Sequence, residues 1–388
     1  MQVKRTIEKE IIKALSAYPV VTIIGPRQSG KTTLVKSIFP EKPYVSLEDP
    51  DIRLFATEDP RKFLENYPNG AIIDEVQRVP QILSYIQGIV DSQEKTGLFI
   101  LTGSHQLSLQ ETISQSLAGR TALFSLMPCT LEELENAGKV LSTDEQLFYG
   151  FYPRVYKVPI DPSMFYRDYV KTYVERDVKM ILNIKDLDQF QRLLMLCATR
   201  IGQTLDYTQM ANELGISRHT VVEWLSILKA SFIVTMLPPY FENLGKRIIK
   251  SPKLYFCDVG LVSYLLGIRN VGHVTHHPLR GYLFENMIIN EISKYYLNQG
   301  EDTILYFYRD SNQVEVDVVF QQGLNLGAIE IKSSQTFNKN FLNNIDKFKS
   351  LAHRYSVKGY LLYAGKYEQW VGGHQILNYR NMSRVLTI

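Results

Sequence analysis

The chain has 388 residues, and a usual domain size of about 150 residues predicts two or three domains. Hydrophobic residues make up 45% and charged residues 21%, which excludes a collagen-like or wholly disordered protein. The net charge of +3 does not by itself indicate a nucleic-acid binder, so any basic surface must be local. The three cysteines form no C-x-x-C pair and favour neither a disulfide framework nor a zinc site. We expect a reducing, intracellular setting.

The amino-terminal segment MQVKRTIEKEIIKALSAYP has charged residues between its short apolar stretches, which does not fit a signal peptide. No apolar run approaches the roughly 18 residues that a bilayer-spanning helix needs. The sequence therefore predicts a soluble, cytoplasmic protein without membrane contact.

Residues 1–140 alternate short β-branched runs with helical patterns, which predicts an α/β domain built on a mainly parallel sheet. The predicted strands cover residues 20–24, 44–47, 71–73, 98–102 and 121–126. Residues 141–203 turn helical and predict a lid or connector. Residues 204–267 carry short helices and then apolar runs. Residues 268–388 begin with a helix and continue with four strands, ILYFYR, VEVDVVF, GAIEIK and GYLLYAG.

A glycine-rich loop with the pattern G-x-x-x-x-G-K-[ST] follows the first strand and precedes a helix. Backbone N–H groups of such a loop wrap phosphates, Lys31 reaches the β- and γ-phosphates, and the Thr32 hydroxyl can bind Mg²⁺. The helix amino terminus adds its dipole. The predicted nucleotide-binding residues are Gly25, Pro26, Arg27, Gln28, Ser29, Gly30, Lys31, Thr32 and Thr33.

The segment AIIDEVQ places two carboxylates at the end of an apolar strand, as expected for a Walker B segment. Asp74 would hold Mg²⁺ through water, and Glu75 would polarise the attacking water. A solvated turn would also explain an acidic pair, but it would not explain the partner loop at Lys31.

Two further segments contain candidate catalytic residues. Ser104 or Thr102, at the end of LFILTGS, could sense the γ-phosphate or orient water, and a simple turn explains them about as well. Arg120 lies just before the fifth strand, where oligomeric ATPases carry an arginine finger, or it is a surface arginine at a helix carboxyl terminus. Arg78 and Arg176 are weaker alternatives for the finger.

Residues 207–228, YTQMANELGISRHTVVEWLSIL, have the spacing of a helix-turn-helix with Gly215 at the turn and Ser217 capping the second helix. The exposed residues of that helix would be Arg218, His219, Thr220 and Glu223. The runs FIVTMLPPY and KLYFCDV could form a wing with Lys246, Arg247, Lys250 and Lys253. DNA contact and a purely connecting or protein-binding role stay equally open.

The carboxyl-terminal region places charged residues inside apolar segments. Alternation puts Glu330 and Lys332 on one face of their strand, and an adjacent strand would bring Asp317 beside them. Such charges are costly to bury unless they are paired or bind metal, so we expect an acidic pocket for Mg²⁺ or Mn²⁺ with Lys332 activating a water. Glu285, in the helix GYLFENMIINEI, aligns with this set. A structural ion pair in an inactive fold is the competing explanation.

The whole chain resembles a large bacterial and archaeal family in which an AAA-type ATPase domain precedes a winged helix and a restriction-endonuclease-like domain. The ordered segments that carry the resemblance are GPRQSGKTT, IIDEVQ, LTGS, LAGR, YVERDV, the helix-turn-helix, KLYFCDVGL, FEN, EVDVVF and IEIKSS. The resemblance implies four parts: an AAA core over 1–140, a helical lid over 141–203, a winged helix-turn-helix over 204–267 and a nuclease-like domain over 268–388. It also implies ATP binding by residues 25–33 and a nuclease-type fold around Glu285, Asp317, Glu330 and Lys332.

Three functional hypotheses follow. The leading one is an Mg²⁺-dependent ATPase, with ATP and Mg²⁺ as cofactors, that moves or gates a DNA-directed module. The second is an ATP-switched protein- or DNA-binding protein with an inert nuclease-like domain. The third is an ATP-coupled nuclease. If Arg120 acts on a neighbouring subunit, the active unit is a homo-oligomer.

Overall fold

The computed structural model describes residues 3–104, 116–174, 187–240 and 251–386 of the chain. The amino-terminal part contains strands β1 to β5 in a five-stranded, fully parallel sheet of order β2-β3-β4-β1-β5. The strands span Val20–Ile24, Tyr44–Ser46, Ile72–Asp74, Phe99–Gly103 and Thr121–Ser125. The predicted strands are confirmed, with ends that differ by about one residue. Parallel pairing follows from the helical connections between the strands.

Helices flank this sheet and bury its two faces in separate apolar clusters. They are α1 Glu8–Leu15, α2 Lys31–Ile38, α3 Pro50–Glu58, α4 Pro60–Glu65 and α5 Ile82–Gln93, with a 3₁₀ turn at Val76–Arg78. Asp49 and Asp59 accept backbone hydrogen bonds at the starts of α3 and α4, each followed by proline at the first helical position. Residues 105–115, between β4 and β5, lie outside the described residues.

The central part is helical, as the sequence predicts. Its helices are α6 Leu131–Asn136, α7 Thr143–Tyr149, α8 Pro153–Lys157, α9 Pro162–Tyr169, α10 Leu187–Thr199, α11 Tyr207–Leu214 and α12 Arg218–Ala230, with a π-helical turn at Val170–Val174. Capping boxes start α6 and α7, where Thr130 and Ser142 pair with Glu133 and Glu145. A two-stranded antiparallel sheet follows, made of β6 Val234–Leu237 and β7 Lys253–Phe256.

The carboxyl-terminal part holds a six-stranded mixed sheet of order β12-β13-β11-β10-β9-β8. Its strands are β8 Tyr306–Arg309, β9 Glu315–Gln322, β10 Asn325–Lys332, β11 Ser356–Tyr363, β12 Gln369–Val371 and β13 His374–Asn378. Its helices are α13 Val259–Leu265, α14 Val271–Thr275, α15 Arg280–Leu297, α16 Asn343–Leu351 and α17 Ser383–Leu386, with 3₁₀ turns at Lys339–Leu342 and Tyr379–Asn381.

One apolar cluster runs from the central helices into the carboxyl-terminal sheet. It joins Phe190 of α10 and Trp224 of α12 to Phe284 of α15 and Ile329 of β10. Because this core is shared, the central and carboxyl-terminal parts pack as one body. The boundaries near residues 203 and 267 stay predictions.

Candidate functional site

The glycine-rich loop lies between β1 and α2, at the carboxyl edge of the parallel sheet. Gly25 and Gly30 adopt positive φ angles of 152° and 99°. A Cβ added at Gly25 would lie 2.2 Å from the carbonyl oxygen of Leu126, so the loop needs glycine there for space as well as for conformation. The backbone therefore folds tightly at both ends of the loop.

Lys31 bends back over the loop that precedes it. Its ammonium donates to the carbonyl oxygens of Gly25 and Pro26, each at 2.9 Å, and the residue is buried. The lysine charge therefore lies inside the loop, where a phosphate would be bound.

Asp74 is the last residue of β3, and its carboxylate accepts hydrogen bonds from hydroxyl groups on three other elements. Its Oδ2 accepts from the Thr32 hydroxyl at 2.9 Å and from the Tyr44 hydroxyl at 2.7 Å. Its Oδ1 accepts from the Thr102 hydroxyl of β4. Burial, together with the hydrogen bond to Asp74, raises the pKa of Tyr44, so Tyr44 is a neutral donor. The Thr32 hydroxyl and the Asp74 carboxylate form a pair of hard oxygen donors that fits Mg²⁺.

Glu75 faces a separate set of polar groups. It has a left-handed backbone conformation, with φ at 58°. Its Oε2 accepts from the Ser104 hydroxyl at 2.9 Å and also from the Gln77 amide, which donates to Ser104 at 3.0 Å. The two candidates at the end of β4 thus divide between the two carboxylates, with Thr102 at Asp74 and Ser104 at Glu75.

The two candidate arginines among the described residues, Arg120 and Arg78, lie in different places. Arg120 forms a two-pronged ion pair with Asp91, with Nε to Oδ1 at 2.5 Å and Nη2 to Oδ2 at 2.9 Å. Its carbonyl accepts from the Val20 amide at the amino end of β1, about 16 Å along the strand from the loop. Arg120 therefore cannot reach its own loop, and its action on a neighbouring subunit stays a prediction. Arg78 lies 4.0 Å from Glu48, and Arg176 lies outside the described residues.

A cavity of about 610 Å³ opens beside the loop, between the amino-terminal segment and α8. Its wall includes Val3, Arg5, Thr33, Pro153, Tyr156 and Lys157. The wall combines apolar carbons with a few charged groups, a composition typical of small-molecule sites.

Sequence reasoning missed three residues of this site. Tyr44 and Gln77 hold the two carboxylates, and Arg5 holds the loop from outside. Arg5 donates to the Ser29 carbonyl oxygen at 2.8 Å and pairs with Glu133 at 2.9 Å. Gln77 lies at the end of the AIIDEVQ segment, where the motif assigns it no role. Tyr44 and Arg5 belong to no local motif, and Arg5 and Glu133 lie 128 positions apart in the chain.

The structure places the carboxyl-terminal candidate residues next to one another. Asp317 of β9 accepts from the Ile331 amide of the neighbouring strand β10 at 2.8 Å. Lys332 lies 2.6 Å from Glu330 and 3.5 Å from Asp317. Glu285 of α15 accepts from the Tyr255 hydroxyl at 2.5 Å. We call Glu285, Asp317, Glu330 and Lys332 the carboxylate centre.

The three carboxylates of this centre have different electrostatic environments. Burial raises the pKa of Glu285, although Lys253 opposes the shift. Burial and the charge of Asp317 raise the pKa of Glu330 well above its ordinary range. For Asp317, the charges of Lys332 and Lys253 outweigh burial and lower the pKa. Asp317 is therefore the most strongly ionised of the three.

The predicted recognition helix has the expected form. Gly215 turns the chain at φ 67°, and Ser217 accepts from the Thr220 amide at 3.0 Å to cap α12. Arg218, His219 and Glu223 are exposed. The expected basic wing is wrong at Lys253, which is 1% exposed and ion-paired inside the protein because carboxylates surround it. Lys246, Arg247 and Lys250 lie outside the described residues.

Three family models match successive parts of the chain. Residues 17–135 match an AAA domain, residues 141–271 match a domain of unknown function (DUF8612), and residues 280–382 match another domain of unknown function (DUF4143). The parallel sheet and the glycine-rich loop agree with the match of residues 17–135 to an AAA domain.

The relatives among curated proteins are uncharacterized. One from Mycobacterium tuberculosis is 28% identical over 336 residues, which cover 86% of this chain and 74% of the relative. One from Methanocaldococcus jannaschii is 24% identical, over 69% of this chain and 66% of the relative. These similarities extend beyond the P-loop domain without adding an activity.

Two solved structures are similar to parts of the chain at low identity and low TM-score. A Walker-type ATPase of Pyrococcus abyssi is 14% identical with a TM-score of 0.43, covering 67% of this chain and 94% of its own. AMPPCP-bound DnaA from Aquifex aeolicus is 16% identical with a TM-score of 0.31, covering 57% of this chain and 85% of its own.

Within the described ranges, none of the helices has the length and apolar character that a membrane span requires.

Proposed function

We propose that the protein is an Mg²⁺-dependent ATPase. The observation that carries the proposal is the separation of two carboxylates at the loop, with Asp74 joined to Thr32 and Glu75 joined to Ser104. One carboxylate is thereby placed to hold the metal and the other to hold a water. This division of roles supports hydrolysis as well as binding.

The residues of the loop then have distinct roles. Lys31 stabilises the negative charge of the β- and γ-phosphates, and Thr32 and Asp74 are the residues that would hold Mg²⁺. The bound metal ion supplies charge neutralisation on the phosphate oxygens. Glu75 orients and polarises a water, while Ser104 and Gln77 fix its carboxylate.

The cavity beside the loop supports a nucleoside triphosphate as the ligand. It touches Ser29, Gly30 and Thr33 on one side and Pro153 and Tyr156 on the other. A base and ribose placed there would continue directly from phosphates bound at the loop. We therefore assign this cavity to the nucleoside part of ATP.

A chain of buried polar contacts supports nucleotide-dependent switching of the rest of the protein. Arg5 joins the Ser29 carbonyl of the loop to Glu133 of α6. At the start of the same helix, the Leu131 amide donates to Glu291 of α15 at 2.8 Å. These contacts would therefore transmit a movement of the loop on nucleotide binding to α15, the helix that also contains Glu285.

For the carboxyl-terminal part we favour a binding module over an active nuclease. Two lysines, Lys332 and Lys253, already pair with the acidic side chains of the carboxylate centre. DNA is the proposed partner, contacted by the exposed amino end of α12 at Arg218 and His219. Incubation with linear, circular and single-stranded DNA plus Mg²⁺ or Mn²⁺ should leave the DNA intact. Cleavage that is lost in Asp317→Ala would establish the nuclease instead.

Equilibrium ATP binding tests the primary proposal. Lys31→Ala should abolish binding, whereas Lys13→Ala, which removes an exposed lysine of α1, should leave affinity unchanged. Removal of Mg²⁺ with EDTA should stop hydrolysis. Wild-type affinity in Lys31→Ala would refute the assigned site.

A further inference from the structure

The carboxylate centre gathers three acidic side chains in the interior of the protein. Its three carboxylates come from three elements: Glu285 from α15, Asp317 from β9 and Glu330 from β10. All three are buried. Glu330 accepts a hydrogen bond from Lys332 at 2.6 Å, and in its protonated form it is also hydrogen-bonded to Asp317. Lys332 is therefore one cation of the centre, and Glu285 pairs with a different lysine.

The cation that fills the rest of the centre comes from a different part of the chain. Lys253 begins β7 of the two-stranded sheet, and its ammonium lies 3.2 Å from Glu285, 2.5 Å from Glu315 and 3.9 Å from Asp317. The residue is 1% exposed. Its three partners belong to α15 and β9, so this single side chain crosses between the two sheets.

Neighbouring contacts fix β7 in this position. The Tyr255 hydroxyl donates to Glu285, and the Phe256 amide donates to Asn286 of α15 at 2.7 Å. Asn290 donates back to the Phe256 carbonyl at 2.8 Å. Lys253 is therefore held among the carboxylates by its own backbone and not only by its charge.

An ammonium and a divalent metal ion cannot share these oxygens. Mg²⁺ and Mn²⁺ need carboxylate oxygens that converge at about 2.0–2.2 Å, whereas an ammonium keeps them near 3 Å and repels a second cation. Among the described residues, no group of three or more His, Cys, Asp and Glu is arranged to hold a metal ion. This agrees with carboxylates that are spread around a lysine.

We propose that Lys253 is a second resident cation of the carboxylate centre, beside Lys332, and that it excludes divalent metal from the oxygens of Glu285 and Asp317. The centre then holds β7 against the carboxyl-terminal sheet and becomes a metal site only when Lys253 leaves. This inference rests on the binding-module role proposed for the carboxyl-terminal part. It does not depend on ATP hydrolysis, so the ATPase proposal and this inference can each fail without the other.

The test is a Mn²⁺ titration of the full chain without nucleotide, with free Mn²⁺ read by electron paramagnetic resonance. Wild type and Asp317→Asn should bind the same number of ions per chain. Lys253→Met should bind one additional Mn²⁺, and the double variant Lys253→Met/Asp317→Asn should lose it. The additional ion should also raise the melting temperature of Lys253→Met.

Lys294→Met is the matched control. Lys294 is equally buried, at 2% exposure, but it pairs with one carboxylate, Glu291, at 2.8 Å. It should lose stability and gain no Mn²⁺ site. If Lys253→Met does not fold, Lys253→Gln replaces it, and the comparison of wild type with Asp317→Asn still decides.

Two results would overturn the inference. If wild type binds one more Mn²⁺ than Asp317→Asn, Lys253 does not exclude the metal. If folded Lys253→Met or Lys253→Gln binds no additional ion, the centre is not a latent cation site. DNA cleavage or its absence bears on the binding-module proposal and is measured separately.

Discussion

Removal of Arg5 should destabilise the P-loop domain far more than removal of a surface lysine. Arg5 is 6% exposed, and its Nε lies 2.9 Å from Glu133, whose side chain is 1% exposed. Its Nη groups also donate to the carbonyl oxygens of Ser29 and Met127. Arg5→Met keeps much of the apolar stem but leaves the Glu133 carboxylate buried without its cation.

Breaking a buried pair in this way costs about 3–5 kcal/mol. The exposed pair Lys13–Glu10, with side chains 80% and 35% exposed, should cost at most about 1 kcal/mol in Lys13→Met. Hydrogen exchange of the β1 amides measures the difference. At 1.4 kcal/mol per factor of ten, exchange by global opening should accelerate between about a hundredfold and a few thousandfold.

The double variant Arg5→Met/Glu133→Gln separates the ion pair from the other contacts of Arg5. It should lose less stability than the sum of the two single variants, because Glu133→Gln removes the uncompensated charge. If Arg5→Met exchanges within tenfold of Lys13→Met, the assignment of Arg5 as the support of the loop is refuted.

Three further predictions concern the loop, a buried carboxyl group and the thiols. Gly25→Ala should weaken ATP binding by between about fivefold and about 150-fold, because a strained position costs about 1–3 kcal/mol and the added Cβ would meet the Leu126 carbonyl; unchanged affinity would contradict this. Burial raises the pKa of Asp258, so the folded protein holds that proton more tightly than the unfolded chain. The stability of wild type relative to Asp258→Asn should therefore be greatest below about pH 3.9, the ordinary pKa of Asp, and fall as the pH rises through the raised pKa; a difference that grows with pH would be inconsistent. Burial raises the pKa of each thiol, so a thiol reagent at pH 8 should label the protein only after urea unfolds it, and rapid labelling of the native protein would argue otherwise. The thiol pKa values are about 11 for Cys129 and about 12 for Cys197 and Cys257.

The sequence predicts those parts of the fold and site whose signals are local. The strands of the parallel sheet, the loop at Lys31 and the position of Asp74 follow from short apolar runs and from motif spacing. The same alternation brings Asp317 beside Glu330, because β9 and β10 are neighbours joined by a short turn.

Contacts between distant segments could not be predicted in this way. In the sequence, Arg5 is one of several charged residues in the amino-terminal segment, and only the folded chain places Glu133 next to it. Lys253 looks like a wing lysine because nothing local shows that α15 and β9 will enclose it. Tyr44 likewise needs the β2–β3 pairing before its hydroxyl can reach Asp74.

The most direct test of the proposed ATPase is a paired measurement on Glu75→Gln of ATP affinity and of Mg²⁺-dependent turnover. The substitution keeps the size of the side chain and leaves Lys31, Thr32 and Asp74 in place. ATP affinity should stay near that of wild type, while turnover should fall about a hundredfold or more, since general-base assistance contributes about 10²–10⁴-fold. Wild-type turnover in Glu75→Gln would contradict the role assigned to Glu75 and, with it, the proposed hydrolytic site.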